Sequence, residues 1–215
     1  MAAFPDTLLA GISGLSGSGK TFLIGKLREA LGSNACFISL DDYYRPYHEQ
    51  TVDENGVTNF DLPGALESER FITDVENLLR GRPVILRKYQ FENFGAEEQF
   101  EEIQPAPIVI AEGLFVFHFH EVRNLMDVRI FVETDPDISL QRRLFRDTRE
   151  RGITEERSRY QWDYHVMPGY RNFVLPYRDS CDLIVHNEGE PTANVERMKS
   201  AIFAELSPAA AARIV

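Results

Sequence analysis

The sequence has few cysteines and no long apolar segment. Its 215 residues include two cysteines, Cys36 and Cys181, which lie far apart in the chain. This usage fits a reducing compartment and shows no pattern of a disulfide framework or a zinc site. No run approaches the roughly 18 apolar residues of a membrane span, and the first residues lack the basic and apolar regions of a signal peptide. We therefore expect a cytoplasmic protein without a membrane partner.

Positive charge is also scarce. The 23 lysines and arginines face 34 aspartates and glutamates, which gives a formal net charge of −11. Proteins that bind duplex nucleic acid carry a basic surface, so we expect no nucleic-acid partner. A chain of this length buries about 70% of the surface that its unfolded form exposes. We therefore expect one domain over residues 1–215 that needs no metal or disulfide for its core.

Apolar segments of two different periods alternate along the chain. Continuous apolar runs predict strands at residues 7–12, 36–40, 108–111, 128–132 and 183–185. Apolar residues at helical spacing predict helices at residues 20–31, 65–80, 136–149, 154–166 and 193–206. This alternation predicts an α/β fold with an open parallel sheet flanked by helices. Between these elements we expect a long loop at residues 43–59 and a small hairpin insert at about residues 84–104.

The strongest motif follows the first predicted strand. Residues 14–21, Gly-Leu-Ser-Gly-Ser-Gly-Lys-Thr, match the phosphate-binding loop pattern and precede a predicted helix, which is the context that this motif requires. The glycines allow backbone N–H groups to surround phosphate oxygens at a helix N-terminus. Lys20 supplies a charge for the β and γ phosphates, and the Thr21 hydroxyl is a ligand for Mg²⁺. The motif predicts a P-loop NTPase-type sheet and the nucleotide-binding residues Gly14, Ser16, Gly17, Ser18, Gly19, Lys20 and Thr21.

Two acidic residues lie at the ends of predicted strands. Asp41 follows the second strand, and Glu112 follows the strand at residues 108–111. Ligands of open α/β sheets gather at the carboxyl ends of the strands. Phosphoryl transfer to a hydroxyl needs a magnesium ion held by hard oxygens and a carboxylate that accepts the proton. Asp41 and Glu112 can fill these roles; the alternatives are that Asp41 only caps a loop and that Glu112 pairs with an arginine. Asp42 is the weaker candidate of its pair.

Five arginines cluster on and just after the helix predicted at residues 136–149. In an acidic protein such a cluster fits a triphosphate undergoing transfer, and we predict a helical lid over about residues 142–166. The alternative is a solvated helix face with acidic partners, such as Arg143 with Asp147. Trp162, in the same segment, either stacks on a planar ligand or packs in the core. The cluster consists of Arg142, Arg143, Arg146, Arg149 and Arg151.

Over residues 8–187 the chain resembles the uridine kinase family. The resemblance rests on the phosphate loop, on Ser39-Leu40-Asp41-Asp42-Tyr43-Tyr44, on Asn59-Phe60-Asp61-Leu62-Pro63, and on Glu112-Gly113 followed by Arg142-Arg143-Leu144-Phe145-Arg146-Asp147. It implies ATP-dependent phosphorylation of the 5′-hydroxyl of uridine or cytidine, the reaction of pyrimidine salvage. It also implies a homotetramer.

The resemblance assigns a role to each matching residue. Asp41 resembles the family's catalytic base, with Lys20 and Arg146 as further catalytic residues. Asp61 resembles the ligand of the ribose hydroxyls, and Glu112 resembles the acid on the magnesium side. Nucleoside-binding positions match Tyr44, Tyr89, Phe94, Arg143 and Trp162, and Arg151 matches a lid residue that binds the nucleotide.

Several positions depart from the family's pattern where the base is read. Tyr89-Gln90-Phe91 replaces the family's Tyr-Asp-Phe, and Phe94 takes the place of a base-reading histidine or tyrosine, although phenylalanine cannot donate a hydrogen bond. Ile153 replaces a basic residue, and Leu62 replaces a histidine. Residues 41–44, 53–56 and 162–168 also resemble the related nicotinamide riboside kinases. The acceptor alternatives are therefore uridine and nicotinamide riboside, with weak discrimination expected because a polar reader is missing.

Two other classes of protein share part of this pattern. A nucleotide-dependent switch would have the phosphate loop, but the sequence has no Asn-Lys-x-Asp guanine-reading motif, and Asp41 and Asp61 would have no task. A catalytically silent binding module would lack Lys20 or Asp41, and both are present. ATP turnover with and without a nucleoside separates these classes, because only a kinase needs the acceptor.

Overall fold

Five parallel strands form the main sheet. The structure is a computed structural model that describes residues 7–89, 98–212 and 214. In chain order its strands are β1 (Leu8–Gly14), β2 (Ala35–Ser39), β3 (Val84–Arg87), β4 (Phe100–Ile103), β5 (Ile108–Glu112), β6 (Val128–Glu133) and β7 (Leu183–His186). The main sheet has the order β2-β5-β1-β6-β7, while β3 and β4 pair antiparallel in a sheet of their own. The predicted parallel sheet and the separate hairpin are confirmed.

Helices cover both faces of the main sheet. They are α1 (Lys20–Leu31), α2 (Ser68–Leu79), α3 (His120–Arg123), α4 (Pro136–Arg149), α5 (Glu155–Gln161), α6 (Met167–Phe173), α7 (Pro191–Ala204) and α8 (Pro208–Ala211). Among the described residues, no helix has the length and apolar character needed to cross a membrane. The predicted division of the chain into one domain with an insert and a lid stays a prediction.

The central strand β1 explains how the layers pack. All seven of its residues are buried, as expected of a parallel strand that is covered on both faces. Successive side chains of a strand point to opposite faces, so Leu8 and Ala10 pack with α1 and α7, whereas Leu9 packs with α2. Because β1 lies beside β5, and β5 beside β2, the carboxyl ends of these three strands meet at one edge of the sheet.

Helix α1 begins and ends where the sequence predicts. It starts at Lys20, directly after the phosphate loop, and buries Leu23, Leu27 and Leu31 against the sheet. Gly32 follows with a φ of +54°, a backbone conformation that glycine adopts without a steric penalty.

Two segments differ from the prediction. Helix α2 begins at Ser68 rather than at residue 65, because Pro63–Ala65 forms a 3₁₀ turn and Leu66 pairs with Tyr44 in an isolated bridge. The helix predicted at residues 154–166 consists of α5 and a π-helical turn, Trp162–Val166, and the chain then continues helically through α6. In the π turn the Met167 N–H donates to the Trp162 carbonyl, five residues back. Pro168 lies in the first turn of α6, where its missing N–H is tolerated.

Candidate active site

A cavity of about 740 Å³ opens at the edge where β1, β2 and β5 end. One wall is the phosphate loop, another comes from the segments after β2 and β5, and a third comes from α4, α5 and their connection. The structure brings together most of the predicted site residues, since the cavity is lined by Ser16, Gly17, Gly19, Lys20, Thr21, Asp41, Tyr44, Asp61, Glu112, Arg143, Arg146 and Arg151.

The phosphate loop is held rigidly between β1 and α1. Gly17 and Gly19 have φ angles of +82° and +85°, which only glycine adopts readily. A side chain at Gly17 would also collide with the main-chain carbonyl of Ser139 on α4. The Ser18 carbonyl accepts hydrogen bonds from Thr134 Oγ1 at 3.1 Å and from Asn187 Nδ2 at 2.8 Å. These contacts fix the loop to the ends of β6 and β7.

Lys20 is the cation of the loop. Its Nζ donates to the carbonyls of Gly14, at 2.8 Å, and Leu15, at 3.0 Å. Burial lowers its pKa to about 8, although the charges of Glu112 and Asp41 act in the opposite direction. An anion placed against the loop would restore the charge of this ammonium group, because an opposite charge nearby favours the ionised form.

Asp41 and Glu112 form an acidic pair beside Lys20. Asp41 lies in the 3₁₀ turn Leu40–Tyr43 that follows β2, and Glu112 is the last residue of β5. Burial, reinforced by the charge of Asp41, raises the pKa of Glu112 to about 7. Burial also raises the pKa of Asp41, against the effect of Lys20. Ser39 links the two residues, because it bonds the Glu112 carboxylate and its Oγ accepts the Asp41 N–H at 3.3 Å.

Three arginines of the cavity wall are arranged around one carboxylate, that of Asp147, which is fully buried. Arg146 Nη2 lies 2.9 Å from its Oδ1, and Arg143 Nε lies 3.2 Å from its Oδ2. Arg151 Nη1 approaches Oδ1 at 4.0 Å, and Ser158 Oγ donates to Oδ2 at 2.7 Å. Arg143 also reaches the phosphate loop, where its Nη1 donates to Ser16 Oγ at 2.9 Å.

This arrangement separates the two interpretations of the arginine cluster. Arg143 and its predicted partner Asp147 are both buried, so they do not form a solvated helix face. Arg149 is exposed and does not line the cavity. The cluster therefore presents Arg142, Arg143, Arg146 and Arg151 to the cavity. Asp147 balances part of the charge of the last three.

The end of the cavity opposite the phosphate loop is acidic and aromatic. Asp61 is buried there, and burial raises its pKa although Arg143 acts against this. Its N–H donates to Asn59 Oδ1 at 2.9 Å. The ring of Tyr44 lies 5.6 Å from that of Phe60 and 5.4 Å from that of Tyr89, centroid to centroid. Tyr44 and Phe60 line the cavity, and Tyr89 contacts it through Tyr44.

The π turn and α6 support this end from behind. The backbone at Gly169 on α6 lies so close to the main-chain carbonyl of Asp61 that a side chain would collide with it. His165 Nε2 lies 2.7 Å from Asp53 Oδ2, and Tyr160 donates to the same oxygen at 2.8 Å. These contacts tie α5, the π turn and α6 to the segment between β2 and α2, which carries Asp53 and Asp61.

Two further predicted nucleoside-binding residues have different outcomes. Trp162 is buried in the core with Val166 and Tyr170 and does not line the cavity, which supports the packing interpretation, and its predicted contact with the substrate stays a prediction. The second residue, Phe94, lies outside the described residues, as do Gln90 and Phe91.

Several residues that the sequence analysis did not select also line the cavity, among them Tyr47, Thr58, Arg157 and Gln161. Tyr47 and Thr58 belong to the long loop, whose lack of periodicity gives no sign of which side chains are buried. Thr58 Oγ1 donates to Tyr47 Oη at 3.1 Å. Arg157 and Gln161 are four residues apart on α5, so they share one helix face. This spacing of four residues is the sequence pattern that could have identified Arg157 and Gln161.

A family model described as the phosphoribulokinase / uridine kinase family matches residues 9–194 of the chain. The chain belongs to this family. A uridine kinase of Leuconostoc citreum is 35% identical over 194 residues, which is 89% of this chain and 92% of that protein. Uridine-cytidine kinase 2-B of Danio rerio is 33% identical over 193 residues, 85% of this chain and 74% of that one.

A solved structure has the same fold as this chain. It is described as a possible uridine kinase from Bacillus stearothermophilus and superposes with a TM-score of 0.57 at 19% identity, covering 84% of this chain and 89% of that chain. At this identity the likeness concerns the fold alone, which is a P-loop kinase fold with a parallel sheet flanked by helices.

Proposed function

We propose that this chain transfers the γ-phosphoryl group of ATP to the 5′-hydroxyl of uridine, with cytidine as a second acceptor. The observation that carries the proposal is that Lys20, Asp41 and Asp61 line one cavity. A nucleotide switch needs only the loop, whereas a kinase needs a base and an acceptor site beside it. The identity of the acceptor is taken from the uridine kinase and uridine-cytidine kinase relatives.

The loop and the acidic pair fit ATP with Mg²⁺. Among the described residues, no group of three or more histidines, cysteines, aspartates or glutamates could hold a metal by itself. Protein sites for Mg²⁺ commonly supply one or two carboxylates and leave the remaining positions to water and substrate phosphates. Thr21 and Glu112, with Asp41 beside them, are oxygen donors of that kind, and all three line the cavity. When bound, Mg²⁺ neutralises charge on the β and γ phosphates.

The proposed reaction uses a base and a set of cations. Asp41 accepts the proton of the 5′-hydroxyl, and the burial that raises its pKa makes it a stronger base in its ionised form. Lys20 and Arg146 bind the oxygens of the transferring phosphoryl group, where negative charge must be stabilised during transfer. Arg143, held to Ser16 of the loop, orients the ribose and phosphate. Arg151 binds the nucleotide from the lid side.

The acceptor site is proposed at the end of the cavity that holds Asp61. A carboxylate accepts hydrogen bonds from two vicinal hydroxyls, so Asp61 is suited to the 2′- and 3′-hydroxyls of ribose. Tyr44 and Phe60 then form the wall against which the base packs, with Tyr89 behind Tyr44. Ribonucleosides are therefore expected to be better acceptors than deoxyribonucleosides.

Nicotinamide riboside is the second candidate acceptor. The aromatic rings of Tyr44, Tyr47 and Phe60 dominate the described wall at this end. A cationic pyridinium ring gains from contact with aromatic faces, whereas a uracil ring needs polar partners for its edge. This wall therefore gives nicotinamide riboside a specific reason to compete with uridine.

The test is a panel of acceptors with MgATP, scored by mass detection of each monophosphate. Uridine, cytidine, nicotinamide riboside, 2′-deoxyuridine and a reaction without acceptor make up the panel. We expect uridine monophosphate to form fastest and ATP turnover to need an acceptor. Formation of nicotinamide mononucleotide alone would replace the proposed acceptor, and acceptor-independent ATP turnover would refute the kinase assignment.

The variant Asp41→Asn tests the proposed base. The amide keeps the shape but cannot take the proton, so the turnover number should fall by about 10²- to 10⁴-fold while ATP binding is largely kept. An unchanged turnover number would remove Asp41 from this role.

Two further properties belong to the same proposal. The family resemblance supports a homotetramer, which light scattering of the purified protein measures directly. A cytoplasmic location is proposed for the chain, and cell fractionation tests it.

A further inference from the structure

The β3–β4 hairpin is attached to the active-site edge by a charged link. Lys88 follows β3, and its Nζ lies 2.8 Å from Asp42 Oδ2 and 2.8 Å from Glu101 Oε2 on β4. The Tyr89 N–H donates to the other carboxylate oxygen, Asp42 Oδ1, at 3.3 Å. Although burial lowers the pKa of Lys88, the hydrogen bonds to Asp42 and Glu101 outweigh it and raise this pKa.

Asp42 thus differs from its neighbour Asp41 in what it contacts. Asp41 lines the cavity and interacts with Lys20 of the phosphate loop, whereas Asp42 does not line the cavity. Both carboxylate oxygens of Asp42 are engaged by the hairpin, and its side chain is only 11% exposed. The geometry makes Asp42 a structural link between the 3₁₀ turn after β2 and a sheet that shares no ladder with the main one.

The link leads to the acceptor end of the cavity. The ring of Tyr89 lies 5.4 Å from the ring of Tyr44, and Tyr44 is a buried cavity residue. Asp42 fixes the Tyr89 backbone through its N–H and through the preceding residue, Lys88. A shift at Asp42 would therefore reach Tyr44, at the acceptor end of the cavity, through one aromatic contact.

We propose that Asp42 is a positioning residue that sets acceptor binding by anchoring the hairpin through Lys88 and Tyr89, while leaving phosphoryl transfer unaffected. The inference rests on the proposed function for the acceptor, but the anchoring of the hairpin does not. Adjacent carboxylates of one turn then have separate tasks, one at the reacting hydroxyl and one at the wall of the base site.

The first experiment measures anchoring without any substrate. Hydrogen–deuterium exchange of the free protein should be faster in β3 and β4 for both Asp42→Ala and Lys88→Met. The effect of the double variant should be smaller than the sum of the two single effects, because both single variants remove the same Asp42–Lys88 pair. The matched control is Arg87→Met, which removes the exposed pair of Arg87 with Glu98, 3.3 Å apart, inside the same hairpin. Because exposed pairs contribute little, this control should exchange like the wild type.

The second experiment separates acceptor binding from chemistry. For Asp42→Ala and for Lys88→Met, the KM for the nucleoside should rise about tenfold, as expected for loss of one charged hydrogen bond. The kcat and the KM for ATP should each stay within about threefold of the wild type, and the ratio of uridine to nicotinamide riboside use should change. Asp42→Asn keeps an acceptor for the Tyr89 N–H and should restore part of the nucleoside affinity.

Several results would overturn the proposal. Unchanged exchange in Asp42→Ala and Lys88→Met would show that the link does not anchor the hairpin. Faster exchange with an unchanged nucleoside KM, with equal losses of ATP and nucleoside affinity, or with a fall in kcat alone would refute its role in acceptor binding. A wild-type protein that phosphorylates no acceptor would refute the proposed function instead, and the exchange experiment would still decide the anchoring.

Discussion

Replacing Asp147 by asparagine tests the centre of the arginine cluster. The carboxylate is fully buried, and Arg143 and Arg146 lie within 3.2 Å of its oxygens. A neutral amide of the same size would leave these guanidinium groups without their counter-charge. Removing one partner of a buried ion pair costs about 3–5 kcal/mol. In a protein of this size 1 kcal/mol corresponds to about 2–4 °C in Tm, so we expect Asp147→Asn to lower the Tm by roughly 6–20 °C.

Two control variants give this result a scale. Ser158→Ala removes one hydrogen bond to Asp147, of 2.7 Å, but keeps the charge. A hydrogen bond to a charged group contributes about 1.5–3 kcal/mol, so Ser158→Ala should lower the Tm by roughly 3–12 °C. Glu155→Gln breaks an exposed pair with Arg159 on the same helix and should shift the Tm by less than about 2 °C.

The dependence of this effect on pH follows from the pKa of Asp147. Burial alone would raise it, but Arg143 and Arg146 outweigh burial and lower it below the usual 3.8. A lowered pKa stabilises the folded state above the unfolded pKa, and this contribution is lost as the pH falls through the folded pKa. The Tm difference between wild type and Asp147→Asn should therefore be full at pH 6–8 and shrink in strong acid.

The assay is differential scanning fluorimetry without nucleotide, repeated with MgATP, followed by steady-state kinetics. Since Arg143, Arg146 and Arg151 all line the cavity, kcat/KM should fall together with the Tm. If Asp147→Asn destabilised the protein no more than Glu155→Gln, Asp147 would not be the buried counter-charge of the arginines. If a destabilised Asp147→Asn variant kept wild-type activity, the arginines that Asp147 holds would not act in the cavity.

Three other changes address individual residues. Lys20→Ala should remove most activity and leave the circular dichroism spectrum unchanged, and near-normal turnover by the folded variant would refute its role in phosphate binding. Asp61→Ala should raise the KM for ribonucleosides and abolish the preference over 2′-deoxyuridine, measured in the acceptor panel. Burial raises the pKa of Glu112 from 4.5 to about 7, so the ionised carboxylate lowers the free energy of unfolding of the free protein. This loss of stability grows between pH 4.5 and pH 7 and is complete above pH 7. Glu112→Gln should therefore have a higher Tm than wild type at pH 8, with no gain at pH 4, and weaker stabilisation by MgATP.

The sequence predicts well whatever is determined locally. The phosphate loop occupies consecutive positions, so its strand, turn and helix follow from residues 14–21, and the structure shows them as β1 and α1. Strand ends are also local, which is why Asp41 and Glu112 could be assigned to one edge before the strand order was known. Arg143, Arg146 and Arg151 lie close together in the sequence. Because the chain as a whole is acidic, such a basic cluster indicates a bound anion.

The remaining features depend on contacts between distant segments. Tryptophan is a residue type that often stacks on planar ligands, and only the packing of α5 and α6 on the core shows that the ring of Trp162 is buried. Asp147 has the i,i+4 spacing of an ordinary surface pair with Arg143, yet Ser158, from the next helix, completes a buried site around it. Asp42 is bound by a hairpin 46 residues further along the chain, at Lys88, and no local pattern marks that pairing.

The π-helical turn at Trp162–Val166 determines how α6 is rotated relative to α5. Each residue of an α-helix advances the chain by about 100° around the axis. Loss of a single residue from this turn would therefore rotate α6 against α5 and turn Gly169 away from the Asp61 backbone. The same rotation would separate His165 from Asp53. Relatives that share this acceptor site should tolerate substitutions in the turn far better than a one-residue deletion, so its length is a marker of the site in sequence alignments.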